Sequence, residues 1–168
     1  GCYGGGVAVG APTPNFDKIA RNGLQLTSCY SEPSCSPSRA TLLTGRVPNR
    51  HGLHRPPMYG EAGGLQGEVT LPELLASGGY ATQAVGKWHV GEFRPAWPID
   101  RGFDRYYGLI SGGMNYFDIT KAKRMGLQRV FARDDKRLKP KREGFYSTDV
   151  FTDEALASVN NHVEEHAK

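Results

Sequence analysis

Apolar residues along this chain come in short groups punctuated by glycine and proline. Phe16 and Ile19, around Asp17 to Arg21, predict a short helix capped by Asn15 and stopped at Gly23. "LQLTSCY", Leu24 to Tyr30, alternates apolar and polar positions and predicts a strand. After the loop "SEPSC", the stretch "SPSRATLLTG" predicts a second helix. Ser36 suits its N-cap, Pro37 its first helical position and Gly45 the left-handed residue past its end. Thr70 to Gly79 repeats the arrangement with a Thr70 cap, Pro72 in the first turn, leucines at helical spacing and a glycine stop. "YATQAV" is then a short strand and "GKWHVG" its exit loop. From Ser147 onward the chain predicts an amphipathic helix with Val150, Leu156 and Val163 among its apolar positions. Helix, strand and loop in alternation are the grammar of an α/β sheet, in which ligands collect beyond the carboxyl ends of strands. Cys35 and "GKWHVG" both fall at such places.

At 168 residues the chain has the size of one ordinary domain. No apolar run approaches the length of a membrane span, so no membrane is expected as a partner. Twenty-two glycines and eleven prolines favour a loop-rich architecture over a helical bundle. The net charge of +4 is uneven, because Lys121 to Arg142 holds ten Lys and Arg against two Asp, and the remainder is net acidic. Such a run can steer an acidic polymer, but it reads first as a solvated loop. No aromatic platform with recognition-motif spacing accompanies it, so no nucleic-acid partner is expected. Cys2, Cys29 and Cys35 form no CxxC pair, which argues against a disulfide framework or structural zinc site and leaves Cys2 and Cys29 as small packed residues.

Cys35, followed by Pro37 and Arg39 at the entrance to a helix, has the makings of an anion site. A tyrosine-phosphatase loop needs five residues between cysteine and arginine; here there are three, and Thr41 stands where that arginine would be. A cysteine protease needs a paired histidine, for which His51, His54 and His89 are the candidates without local support. "VGKW" is no Walker loop, since Gly79 is too far from Gly86 and Trp88 replaces the hydroxyl residue. His51 with His54, or His162 with His166, has metal-pair spacing but suggests no third ligand.

The run Cys35-Ser36-Pro37-Ser38-Arg39-Ala40, continued by Leu42, Leu43, Thr44, Gly45 and Arg46, resembles the signature of the type I sulfatases. "GYATQAVGKWH", Gly79 to His89, resembles a second signature of the same family. Further similarity runs through "CYGG", "APTPNFDKIARNGLQLTSCYSE", "RGFDRYYG" and "FYSTDVFTDEAL", nearly the whole chain except the basic segment. The resemblance implies an alkaline-phosphatase-like α/β/α sandwich with a mixed, mostly parallel sheet. It makes Cys35 the precursor of formylglycine, whose hydrate uses one hydroxyl to attack the sulfur of a sulfate monoester and the other to expel sulfate. Arg39 would hold the hydrate, Lys87 would touch sulfate and hydrate, and His89 would serve as base or hydrogen-bond partner. If "GKWHV" is extended, Lys87 and His89 project to one side and Trp88 to the other. Ser111 to Asn115, "SGGMN", is expected on the substrate side.

The resemblance also implies calcium, with magnesium as the alternative, bound through oxygen ligands. It further implies a sulfated small molecule or glycan as substrate, a formylglycine-generating or sulfatase-maturing enzyme as partner, and a secreted, periplasmic or lysosomal setting. Of the metal ligands only residue 35, once oxidised, has a counterpart here; Asp134 and Asp135 sit in the basic segment and are not assigned. Residues 1–168 are therefore expected to be the N-terminal part of a sulfatase catalytic domain, lacking its first strand and C-terminal portion, with 119–144 as a variable basic insertion and no turnover on its own. Relatives with the same motif accept phosphonates or phosphate monoesters, which makes that chemistry the alternative. A non-catalytic fragment binding acidic glycans through Lys121 to Arg142 is a third reading.

Overall fold

The computed structural model describes residues 12–57, 60–121, 129–139 and 143–166. The chain divides into two compact units, Gly1–Ser31 and Glu32–Lys168.

In the first unit, helix α1 spans Pro14–Asn22. Its N-cap is Thr13 rather than the expected Asn15, because Pro14, with φ already fixed and no N–H to satisfy, takes the first helical position. The Thr13 hydroxyl donates to Asp17 Oδ1 at 3.0 Å. The strand expected at Leu24 to Tyr30 does not form; the segment is turn and coil. Alternation makes a strand only where one face is covered, and here Leu24, Leu26 and Tyr30 are exposed. Cys29, expected to be packed, is exposed as well. Cys2 lies outside the described residues.

The second unit is built around a four-stranded sheet in the order β1-β2-β3-β4. Its strands are β1, Gln83–Lys87; β2, Arg105–Leu109; β3, Phe131–Arg133; and β4, Lys136–Arg137. Strand β1 pairs parallel with β2, from Gln83 opposite Arg105 to Lys87 opposite Leu109. Strands β2, β3 and β4 are antiparallel. The sheet is mixed, as expected, but among the described residues only one of its three pairings is parallel. The reason lies in the basic segment, which is more than a solvated loop: its residues 131–137 form a tight hairpin that closes against β2. Phe131 and Ala132 are buried, and Asp134 in the turn accepts the Tyr106 N–H through Oδ1 at 2.9 Å. Asp134 adopts φ 52°, which a short polar side chain tolerates.

Among the described residues four α-helices accompany the sheet: α2, Cys35–Thr44; α3, Pro48–His51; α4, Leu71–Ser77; and α5, Ser147–His166. Successive strand residues face opposite ways, and each face has its own core. Tyr106, Ile110, Val130 and Ala132 pack with Trp88, Val90, Leu65 and Ala40 of α2. On the other face Leu109 and Phe131 pack with Phe145 and, from α5, Val150 and Phe151. Helices thus cover both faces, the α/β/α layering the sequence leads one to expect.

Helix α4 shows why the local signals were readable. Thr70 caps it by accepting from Glu73 N–H, and Glu73 accepts from Thr70 N–H in return, a complete capping box. Gly79, at φ 82°, turns the chain, and the Tyr80 N–H folds back to the Leu75 carbonyl at 3.0 Å. That hydrogen bond delays β1 to Gln83 instead of Tyr80. The start of β1 is then pinned to β2: Thr82 N–H donates to Asp104 Oδ2 at 2.8 Å, and Asp104 N–H to Thr82 Oγ1 at 3.0 Å.

Candidate active site

The site forms where α2 begins and β1 ends. Helix α2 starts two residues earlier than the sequence suggested, with Ser34 as the extended N-cap and Cys35 as the first helical residue. Cys35 therefore stands in the open first turn, where unpaired backbone N–H groups favour negative charge. Gly45, at φ 66°, closes the helix as expected, its N–H donating to the Thr41 carbonyl. Ser36 is released from capping for a different task. Its hydroxyl donates to the His89 carbonyl at 2.6 Å, while Arg39 Nη1 donates to the Lys87 carbonyl at 2.5 Å. Residues 36 and 39 are three apart and share one helix face, so α2 is clamped to the end of β1 at two points.

Strand pairing continues briefly beyond β1: Trp88 N–H donates to Leu109 O at 2.8 Å and His89 N–H to Ile110 O at 3.0 Å. The buried Trp88 anchors this exit, its indole N–H reaching Ala96 O at 2.7 Å and its ring meeting Phe103 edge-on at 6.0 Å. Simple alternation would put Lys87 and His89 on one side, but the extended backbone stops at His89, which takes φ 57°. That left-handed conformation costs a non-glycine residue about 1 kcal/mol. It brings the imidazole to Cys35, with Nδ1 3.1 Å from Sγ. The positive charge of Lys87 also acts on the thiol. Cys35, Arg39, Lys87 and His89 thus converge, all partly buried.

The electrostatics follow from that crowding. Burial alone would push the Cys35 thiol up. The Lys87 charge and hydrogen bonds involving the Ser34 side chain, the Ser36 backbone and Lys87 outweigh it, and the thiol lies below its ordinary range. His89 is pushed down to about 4, first by burial and then by the positive charges of Lys87, Arg39 and Arg129. Its imidazole is neutral at pH 7 and available as a proton acceptor.

Other sequence candidates have different roles. Ser111, expected on the substrate side, is fully buried, and its hydroxyl oxygen accepts from Val130 N–H at 3.0 Å, tying the end of β2 to β3. His51 is buried between Thr41 Oγ1, 3.3 Å from Nε2, and Leu53 N–H, which donates to Nδ1 at 3.1 Å. It supports the α2–α3 corner and makes no pair with Cys35. His162 and His166 lie one turn apart on α5 with ring centroids 4.2 Å apart and planes tilted by 32°. Among the described residues no group of three or more His, Cys, Asp or Glu side chains could hold a metal ion.

Two participants were missed from the sequence. Arg129 comes from the basic segment, and only the pairing of β3 with β2 carries its charge to His89. Gly112 lies against the imidazole: a Cβ there would overlap the Cε1 and Nε2 atoms of His89. A glycine in "SGGMN" was visible, but nothing local distinguishes it from its neighbour Gly113.

A sequence profile described as Sulfatase matches residues 1–167. The chain belongs to the sulfatase family. Members of that family are sulfuric ester hydrolases, and they generally work with formylglycine and a metal ion. Human N-acetylgalactosamine-6-sulfatase is 42% identical over 106 residues, covering 57% of this chain and 20% of that relative. The PsFucS1 sulfatase from Pseudoalteromonas sp. superimposes with a TM-score of 0.77 at 38% identity, over 97% of this chain and 38% of that one. BT4656, in complex with D-glucosamine-2-N,6-O-disulfate, superimposes with a TM-score of 0.68 at 31% identity, over 95% of this chain and 28% of that one. This sulfatase chain thus spans a fifth of the length of the curated relative. Among its described residues no helix is long and apolar enough to cross a membrane.

Proposed function

We propose that the protein carrying this chain hydrolyses a sulfate monoester, with residue 35 oxidised to formylglycine as nucleophile and inorganic sulfate as product. The observation that carries this reading is that His89 and Lys87 meet at Cys35, with Arg39 bound to the Lys87 carbonyl and its charge felt at His89. In the thiol form Sγ stands in for the oxygen that residue 35 bears after oxidation. At that position an oxygen would face a neutral imidazole able to take its proton, and a lysine able to hold both it and the incoming anion. A sulfate ester already carries negative charge, so attack on sulfur requires fixed positive charge where more develops. Lys87, Arg39 and the first turn of α2 supply it. Ser36 and Arg39 hold the backbone at and just beyond the end of β1 and keep the four groups in register.

The glycan substrates or substrate names of relatives, N-acetylgalactosamine-6-sulfate esters and glucosamine disulfate among them, favour a sulfated sugar here. The maturing enzyme and the secreted, periplasmic or lysosomal setting rest on family membership alone, as does the metal ion, which would contact residue 35. The test uses the protein with its native flanking sequence, co-expressed with a formylglycine-generating enzyme. Turnover of an aryl sulfate is compared with that of the matching aryl phosphonate, in wild type and Lys87→Ala. Preferred release of sulfate, reduced at least a hundredfold in the variant, supports the reading. Preference for the phosphonate, or an unimpaired variant, contradicts it.

A further inference from the structure

The end of the sheet that bears the reacting cluster also carries three aromatic rings that the chemistry above does not use. Tyr116 and Phe117 follow the exit loop of β2, and Tyr146 immediately precedes α5. Tyr116 is 62% exposed, Phe117 63% and Tyr146 37%. They form an organised group: Phe117 stacks on Tyr146 with centroids 5.1 Å apart and planes 19° off parallel, and Tyr116 leans on Tyr146 at 6.4 Å. Their backbone is fixed from below. Asn115 Oδ1 accepts from the N–H groups of Phe117 and Asp118 at 2.9 and 3.0 Å, and Ser147 N–H donates to the Tyr116 carbonyl at 2.8 Å. Met114, Ile119 and Phe145, interleaved with these residues in sequence, root the group in the core with Leu109 and Phe131. The result is an anchored aromatic ledge in which Tyr116 and Phe117 remain largely exposed beside the half-covered Tyr146.

The ledge is close to the site. Gly112 touches the His89 imidazole, and Tyr116 is four residues further on, at most about 14 Å of extended chain. Strands β1 and β2 are parallel, so their carboxyl ends lie side by side. One rim thus offers fixed cations next to aromatic faces. The negative face of an aromatic ring attracts polarised C–H groups, and pockets of this mixed kind orient ligands that have an apolar face and polar edges. A sugar ring has both, and a sulfate on its neighbour complements Lys87 and Arg39.

We propose that Tyr116, Phe117 and Tyr146 form a subsite for a sugar ring, adjoining the sugar whose sulfate lies against Cys35, Lys87 and His89. This rests on the sulfate-ester reading and adds to it an extended saccharide as substrate and the residues that recognise it. The competing occupant of an exposed aromatic ledge is another stretch of polypeptide packed over it, and the experiment separates the two.

The matured protein with its native flanking sequence is assayed on O-sulfated N-acetylgalactosamine and glucosamine and on disaccharides that end in each. In wild type a disaccharide exceeds its monosaccharide in kcat/KM. Tyr116→Leu with Phe117→Leu, which keep apolar bulk but remove the ring faces, lower that ratio about tenfold, chiefly through KM. Tyr116→Phe with Phe117→Tyr restores it. A panel in which no disaccharide is preferred overturns the proposal. So does a leucine variant that loses thermal stability while the ratio stays constant, the outcome of polypeptide packing. Absence of sulfate release from every saccharide and from an aryl sulfate would overturn the sulfate-ester reading itself, a failure distinct from an unchanged ratio in an active enzyme.

Discussion

Replacing Gly112 with alanine perturbs the site through one added methyl group. The backbone at 112 needs no left-handed conformation, so the substitution acts through space alone, and the space is occupied by the His89 ring. Carbon atoms settle at about 3.5–4.0 Å, so the imidazole must retreat by about 1 Å. Its escape is restricted, because the His89 backbone is held by Ser36 at one carbonyl and by Ile110 at the N–H. The 3.1 Å approach of Nδ1 to the side chain at 35 is therefore what gives way. A displacement of this size in a reacting pair costs about a hundredfold in rate, or about 2.7 kcal/mol of barrier. The control is Gly113→Ala, since nothing lies within 4 Å of a Cβ at that position. The assay is sulfate release from an aryl sulfate at saturating substrate, with thermal unfolding recorded in parallel. A Gly112→Ala enzyme that folds normally and stays within threefold of Gly113→Ala would refute the reasoning that His89 must touch residue 35.

Further expectations follow from charge and capping. With His89 pushed down to about 4, acid inactivates by protonating the base, so kcat/KM stays level from pH 7 toward pH 5 and falls as the pH passes through about 4. Arg129→Gln removes one of the cations that disfavour the imidazolium, so the acid limb moves to higher pH in a pH–rate profile; an unmoved limb contradicts a role for Arg129. Thr70→Ala removes the capping box of α4 and the 2.9 Å hydrogen bond from Thr70 to Arg101 O, and it lowers unfolding free energy by about 1–2 kcal/mol in urea titration. Its kcat stays near wild type, because α4 contributes no group to the site.

What the sequence revealed and what it concealed divide along physical lines. Capping and glycine signals located α2 and α4 closely, since a cap is decided by a few adjacent residues, as Thr70, Glu73 and Gly45 show. The motif residues Cys35, Arg39, Lys87 and His89 come together although they lie on two distant segments. Signals that need a tertiary partner were the ones that misled. Leu24 to Tyr30 alternates like a strand, yet its leucines remain exposed. The positive run from Lys121 reads as solvated loop, yet Phe131 and Ala132 inside it fill the core and carry Arg129 to the site. Ser111 looks like a loop hydroxyl and proves to be a buried fastener between strands. Neither the left-handed turn at His89 nor the clamp by Ser36 has a signature in composition or periodicity, because each arises from the meeting of α2 with β1.

The central claim is that an aldehyde at position 35 does the work. Its most direct measurement is peptide mass spectrometry of the segment from Asn22 to Arg39, with hydrazine trapping, on protein produced with graded amounts of the formylglycine-generating enzyme, alongside sulfate release from the same samples. Activity rising in proportion to the aldehyde fraction, and absent where the thiol alone is found, is the predicted result. Full sulfate release from protein whose Cys35 is entirely thiol would contradict it.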